Sequence, residues 1–228
     1  MKYVMSDLHG NYDKFLEMLD LIEFKEDDEL YILGDIFDRG DNPIDILDYI
    51  IANKNIYLLK GNHEQMFIEC YEEEFKDIYH WFLNGGRTTY TQMIYKNLDD
   101  IYKYIKKLPY IKIVDKFILV HAGLYFPDNY NELTLEEFLE IQEEDICLWT
   151  RDNIYNEKQF KDYTIICGHS SVQSINRNST GKILHANGCI YIDCGLQTVS
   201  SNGQLGCLRL DDLEEFYIKN DPIDMLKK

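Results

Sequence analysis

Short apolar runs alternate with amphipathic stretches through the N-terminal part of the chain. Residues 2–5, 30–33 and 55–59 are apolar runs too short for helices and read as strands. Between the first two, Phe15, Leu16, Leu19 and Ile22 recur at three- and four-residue spacing and predict a helix over residues 11–24. A second helix starts at Pro43, whose fixed φ suits a first turn, and runs through Ile44, Leu47, Ile50 and Ile51. This βαβαβ order predicts parallel pairing with right-handed crossovers.

Residues 64–108 read as helical, acidic and aromatic, interrupted at Asn84-Gly85-Gly86. Strand patterns return at 110–114, 117–120 and 164–167, with one acidic helix expected over 134–147. Residues 182–186 and 189–193 flank Asn187-Gly188, a strong hairpin signal, and strands at 204–210 and 214–218 follow through Asp211-Asp212. A parallel first half and an antiparallel second half predict two packed sheets with helices outside. No repeat, low-complexity tract or linker divides residues 1–228, so one domain is expected.

Charge narrows the partners. With 41 acidic and 23 basic side chains the net charge is −18, a field that repels nucleic-acid backbones and anionic membranes. It repels phosphorylated substrates too, so a phosphate site would need local positive charge. The six cysteines form no C-x-x-C pair and several lie in apolar runs, which fits reduced, buried thiols. No leader pattern precedes the first strand, and no apolar run approaches the ~20 residues of a membrane span. A cytoplasmic protein is expected.

Candidate chemistry clusters at strand ends. Asp7 and His9 in Ser6-Asp7-Leu8-His9-Gly10 are two residues apart and would share a side of an extended chain. Asp35 follows a strand within Gly34-Asp35-Ile36-Phe37-Asp38-Arg39-Gly40, and its two oxygens could bridge two cations ~3.5–4 Å apart. Asn62, in Gly61-Asn62-His63-Glu64, His121 and His169 also lie just past strands. Any one of them alone reads as a solvated loop residue or a core histidine. Six candidates at the ends of five strands point to ligands, of a type suited to Mn, Fe or Zn.

The set S-D-L-H-G, G-D-I-F-D-R-G, G-N-H-E, H-A-G and G-H-S resembles the calcineurin-like metallophosphoesterase superfamily. Within it, the short bacterial and phage members of the phosphoprotein phosphatase group are most similar. The resemblance implies an α/β fold of four layers, α/β/β/α, with two packed mixed β-sheets flanked by helices. It implies two divalent metal ions, Mn²⁺ foremost in vitro, with Fe, Zn or Mg as alternatives. Asp7, His9 and Asp35 would hold the first metal. Asp35, Asn62, His121 and His169 would hold the second, with Asp35 and a hydroxide bridging. Ser6 and Ala122 stand where the family usually has glycine; neither change removes a ligand, though Ala122 tolerates positive φ less readily.

His63 would be the catalytic proton donor to the leaving oxygen, oriented by Asp38. Arg39 and Arg151 would fork the phosphate oxygens together with Asn62, with Arg87 a third candidate. His80 and His185 have no motif around them and read as structural. Two divalent ions against Asp7, Asp35 and a hydroxide leave about one positive charge before the arginines, enough to accept a phosphomonoester dianion. Attack would be direct, since no motif Ser or Cys is placed as a nucleophile.

A serine/threonine protein phosphatase is the first expectation, acting on a phosphorylated protein or a small phosphorylated substrate. A symmetrical dinucleoside tetraphosphatase is the second. A phosphodiesterase or nuclease ranks third because of the net charge. A non-catalytic scaffold on a degenerate fold ranks last, because every ligand position is filled. The helices at 64–108 and 134–147 are expected to border the cleft, where Tyr79, Trp81 and Tyr90 either stack on a base or pack between helices.

Overall fold

The computed structural model describes residues 1–154, 158–186, 188–197 and 202–220. Strands β1 (Lys2–Met5), β2 (Glu29–Ile32) and β3 (Ile56–Leu58) enclose helices α1 (Tyr12–Leu21) and α2 (Pro43–Ala52). Helices α3 (Asn62–Glu72), α4 (Ile78–Leu83), α5 (Arg87–Met93) and α6 (Leu98–Lys106) follow, broken at the expected glycines. Next come β4 (Ile111–Val114), β5 (Phe117–Val120), α7 (Leu135–Glu140), α8 (Glu144–Trp149), β6 (Thr164–Cys167) and α9 (Val172–Ile175). The chain closes with β7 (Leu184–Ala186), β8 (Cys189–Tyr191), β9 (Gln204–Arg209) and β10 (Glu215–Lys219).

Two five-stranded sheets result, ordered β10-β9-β1-β2-β3 and β4-β5-β6-β8-β7. The side-chain period of two explains why they stack as inner layers. Tyr3 and Met5 of β1 and Leu30 and Ile32 of β2 join the core beneath α1, α2, α3 and α6. Val4, Tyr31 and the following Leu33 turn the other way, onto Leu119 of β5, Ile166 of β6 and Ile190 of β8. Ile118, Val120, Ile165 and Cys167 face outward again, under Phe138 of α7 and Cys147 of α8. Each central strand is therefore apolar on both faces, and the four-layer arrangement expected from the family resemblance is present.

Two expectations about the strands are corrected. The second half is not simply antiparallel: β5, β6 and β8 run parallel to one another, and only the edge strands β4 and β7 reverse. The last two strands belong to the first sheet, with β9 antiparallel to β1 (Val4 opposite Leu208) and β10 beyond it. The hairpin joining β7 and β8 is as expected, although Asn187 itself lies outside the described residues.

The acidic helix expected over 134–147 is two helices. Thr134 opens α7 with a capping box: Oγ1 accepts from Glu137 N at 3.2 Å, and Glu137 Oε2 accepts from Thr134 N at 2.8 Å. Buried Gln142 then ends it by donating its side-chain amide to the Phe138 carbonyl at 2.8 Å. That carbonyl would otherwise take the next turn's backbone N–H.

Phe138 also stacks on Phe160, with ring centroids 4.0 Å apart and planes 11° off parallel, fully buried under the second sheet. Phe138→Ala removes one ring of this pair. We expect a loss of about 3–5 kcal/mol in urea unfolding with an unchanged m-value. A loss below about 1 kcal/mol would mean that the outer layer collapses into the space.

Candidate active site

β1, β2 and β3 run parallel, as do β5, β6 and β8, and their carboxyl ends converge. Asp7, Asp35, His121 and His169 follow β1, β2, β5 and β6, while Asn62 opens α3 just after β3. Beyond the sheet the first two turns stay zipped together. His9 N donates to Asp35 O at 2.8 Å, Gly10 N to Ile36 O at 2.9 Å, and Gly40 N to His9 O at 2.9 Å.

Asp7 and His9 do not share a side of an extended chain, as their spacing had suggested. Both lie in the left-handed region, with φ of 54° and 43°, and so do Asp35 (55°), Asp38 (69°), Arg39 (69°) and His169 (63°). Left-handed backbone at non-glycine residues costs energy and collects where side chains must be aimed. Ala122, the substituted family glycine, lies outside that region, so the H-A-G turn needs no glycine there.

The imidazoles are oriented by backbone carbonyls. His9 Nδ1 donates to Phe37 O at 2.9 Å and His121 Nδ1 to Leu33 O at 2.6 Å, which leaves both Nε2 lone pairs facing inward. Two groups of donor atoms form, each within 4.8 Å: His9, Asp35 and His63, and Asp35, His121 and His169. Asp35 serves both. Its Oδ2 lies 3.7 Å from His9 Nε2, and its Oδ1 lies 3.5 Å from His121 Nε2. Asn62 Oδ1 adds to the second group, 2.9 Å from His121 Nε2 and 3.1 Å from His169 Nδ1. Asp7 stands outside both groups; its carboxylate accepts the His169 amide at 3.0 Å, occupying space that a Cβ on Gly168 would fill. In the first group His63 takes the place expected of Asp7.

Burial dominates the electrostatics. It pushes Asp7 well above the usual carboxylate range, helped by Asp193 and Asp35, and raises Asp35 and Asp193 as well. It also pulls His9 well below its ordinary value, lowers His121, and draws His63 to about 4 and His169 to about 2. Neutral imidazoles and crowded carboxylates together are a donor set that calls for cations. A guanidinium already answers part of that call: Arg39 Nη1 is 2.8 Å from His9 Nε2, and Nη2 is 3.0 Å from His63 Nε2. The residues present fit a pair of divalent ions sharing Asp35.

Other site residues were not singled out from the sequence. Fully buried Glu64 accepts the amides of Asp35 (2.8 Å), Ile36 (3.0 Å), Phe37 (3.3 Å) and Gly61 (2.9 Å), fixing the Asp35 turn from behind. Its position in G-N-H-E was the available signal. Asp193, past the end of β8, lines the cleft; its strand-end position was likewise legible. Trp81 is neither a stacking platform nor mere packing: it is buried and its indole N–H donates to Asp38 Oδ2 at 2.8 Å. Tyr79 is exposed, and Tyr90 packs on Phe75, Trp81 and Phe82.

A cleft of about 260 Å³ reaches His9 and His169 of the donor groups and is lined also by Asp7, Arg39, Arg151 and Asp193 among others. Arg39 and Arg151 both line this cleft. Arg87 is not part of this lining; its guanidinium sits 5.2 Å over the Phe82 ring. His80 is exposed, and His185 pairs with Glu215 at 2.8 Å, both outside the donor groups. All six cysteines are buried and free, so none offers a nucleophile to the cleft.

Residues 3–195 match the calcineurin-like phosphoesterase family. The chain belongs to this family. Among curated relatives, the phosphoesterase is 28% identical over 183 residues to serine/threonine-protein phosphatase 2 of Salmonella typhimurium, covering 75% of this chain and 79% of that one. It is 32% identical over 134 residues to the symmetrical bis(5'-nucleosyl)-tetraphosphatase of Wigglesworthia glossinidia brevipalpis, covering 54% of this chain and 44% of that protein. The match therefore spans less than half the length of the tetraphosphatase. In fold, the phosphoesterase resembles the crystal structure of a candidate diadenosine tetraphosphatase, with a TM-score of 0.67, 15% identity, and coverage of 97% and 94% of the two chains.

Two measurements check the site. Asp35→Asn should lower occupancy of both metal positions in Mn²⁺ titrations, whereas Asp7→Asn should weaken one; unchanged metal content in Asp35→Asn would rule out a shared ligand. Glu64→Gln should lower metal affinity as much as Asp35→Asn does, because an NH₂ group would then face backbone N–H donors. Wild-type metal affinity in Glu64→Gln would show that other contacts hold the turn.

Proposed function

We propose that this calcineurin-like phosphoesterase is a metal-dependent serine/threonine protein phosphatase. The observation that carries this reading is the pair of guanidiniums, Arg39 and Arg151, lining one cleft together with His9 and His169, one member of each donor group. Two forks suit the oxygens of one terminal phosphate dianion. The next cation considered, Arg87, is turned onto Phe82, so further phosphates along the cleft would meet an acidic surface instead. The Salmonella protein phosphatase supports the same choice, because that match extends over most of both chains.

In this reading Asp7, His9 and Asp35 hold one divalent ion, and Asp35, Asn62, His121 and His169 hold the other, with Mn²⁺ the first choice. His63 lies between the two ligand descriptions: it is grouped with His9 and Asp35, yet its Nδ1 is committed to Asp38 Oδ2 at 2.6 Å. That commitment supports a proton-handling role. When bound, the ions supply Lewis-acid polarisation of the phosphoryl group and a water acidic enough to attack at neutral pH. Arg39 and Arg151 orient the phosphate, with Asn62 beside it. His63 Nε2, held in place by Asp38, gives a proton to the departing serine or threonine oxygen. Six buried, unpaired cysteines support a reducing compartment such as the cytoplasm.

The relatives named as tetraphosphatases make the alternative concrete. A phosphoserine or phosphothreonine peptide should show a higher kcat/KM than diadenosine tetraphosphate under the same Mn²⁺ conditions. Arg39→Ala and Arg151→Ala should impair both reactions, and Arg87→Ala should leave the peptide reaction unchanged. A tenfold advantage for the tetraphosphate, removed by Arg87→Ala, would establish the alternative.

A further inference from the structure

His63 is oriented by one carboxylate, and that carboxylate is held by two further donors. His63 Nδ1 donates to Asp38 Oδ2 at 2.6 Å, and Trp81 Nε1 donates to the same oxygen at 2.8 Å. Thr89 Oγ1 donates to Asp38 Oδ1 at 2.7 Å, while the Asp38 backbone N–H donates to Thr89 Oγ1, also at 2.7 Å. This reciprocal pair removes the usual freedom of a hydroxyl. The Asp38 amide fills an oxygen lone pair, so the single Thr89 proton points at Oδ1. An indole can only donate. Every partner of the Asp38 carboxylate is therefore a donor, and the proton on the His63 side lies on Nδ1. Asp38, Trp81 and Thr89 are each fully buried, so no water competes for these bonds.

Both donors come from the helical stretch broken at Asn84-Gly85-Gly86. Trp81 lies in α4, Thr89 opens the second half of α5's first turn, and the glycines join them. Gly85 O accepts the Arg39 amide at 3.1 Å, so the same turn grips the residue after Asp38. A Cβ on Gly86 would come within 2.4 Å of Trp81 Nε1, so the indole reaches Asp38 only past a residue without a side chain.

We propose that Thr89 and Trp81 are positioning residues for proton transfer by His63, acting through Asp38 and touching neither substrate nor metal. The role rests on the reading of His63 as proton donor. In that step a hydroxide forms the new bond to phosphorus and the bond to the leaving oxygen breaks, its electron pair staying with that oxygen; His63 in its imidazolium form, with Nε2 freed as Arg39 turns from it to the phosphate, passes the Nε2 proton to the leaving oxygen and remains neutral with its Nδ1–H on Asp38. Removing the Thr89 hydroxyl or the indole N–H frees the carboxylate to rotate, and His63 loses its aim.

The test uses Thr89→Val, Thr89→Ser and Trp81→Phe beside His63→Asn, each assayed for Mn²⁺ content, Tm, and turnover on an alkyl phosphate and on a nitrophenyl phosphate. Thr89→Val should keep both metals, lose roughly ten- to a hundredfold in kcat on the alkyl ester, and lose less than about threefold on the nitrophenyl ester, whose leaving group needs little protonation. Thr89→Ser should restore the alkyl reaction, and Trp81→Phe should show the same split in milder form. Equal losses on both esters, or no restoration by serine, would overturn the proposal. If His63→Asn shows the split and Thr89→Val does not, the positioning role falls and the proton-donor reading stands. If His63→Asn shows no split, both fall. Should Thr89→Val fail to fold, Trp81→Phe carries the same comparison.

Discussion

Asp35 can face two sets of imidazoles only because its own turn is held from behind. Its two oxygens point to different groups, Oδ2 toward His9 and Oδ1 toward His121, and its φ of 55° lies where most side chains resist going. A left-handed residue costs about 1 kcal/mol or more. Each amide bond to a buried carboxylate contributes about 1.5–3 kcal/mol, and Glu64 accepts four of them from Asp35, Ile36, Phe37 and Gly61. The clamp is therefore large enough to hold the strained turn. The amide of His63, in the first turn of α3, also donates to Asp35 Oδ1 at 3.0 Å, which favours its charged form.

The same logic runs outward from Asp35. The strand-end turns zip to each other through His9, Gly10 and Gly40, so the β1 and β2 turns move as one body. Asn62 and His63 enter on α3, whose start is fixed by the Glu64 clamp. Asp38 and Arg39 continue the Asp35 turn and are gripped by Thr89 and Gly85. His9, Asp35, Asp38, Arg39, Asn62 and His63 thus share one rigid frame, as the metal-holding and proton-transfer roles proposed for them would require.

How far the sequence disclosed this follows from the range of each interaction. Strand ends were legible because β1, β2, β5 and β6 are apolar on both faces and stop at Asp7, Asp35, His121 and His169 or close before them. Local periodicity also carried α1 and α2. Sheet membership was not local: β9 pairs with β1 across nearly the whole chain, so the C-terminal strands could not be placed by pattern alone. The contacts of Asp38 with Trp81 and Thr89 span 43 and 51 residues and leave no trace in spacing. The extended geometry inferred for Asp7 and His9 failed because the hydrogen bonds that hold left-handed turns come from another segment.

The aromatic-rich helices between β3 and β4 look at first like a lid, since they interrupt an otherwise alternating α/β order. Their packing argues for a different role. Trp81 sits among Phe67, Phe82 and Tyr90, so its indole is fixed by apolar contacts on its faces while its single polar atom is spent on Asp38. A mobile lid would break the Trp81 and Thr89 bonds each time it opened and leave the Asp38 carboxylate to His63 alone, at a cost of about 1–3 kcal/mol per lost partner. The helices are better understood as a brace. They turn hydrophobic packing remote from the cleft into a fixed direction for one carboxylate, and through it for the His63 imidazole.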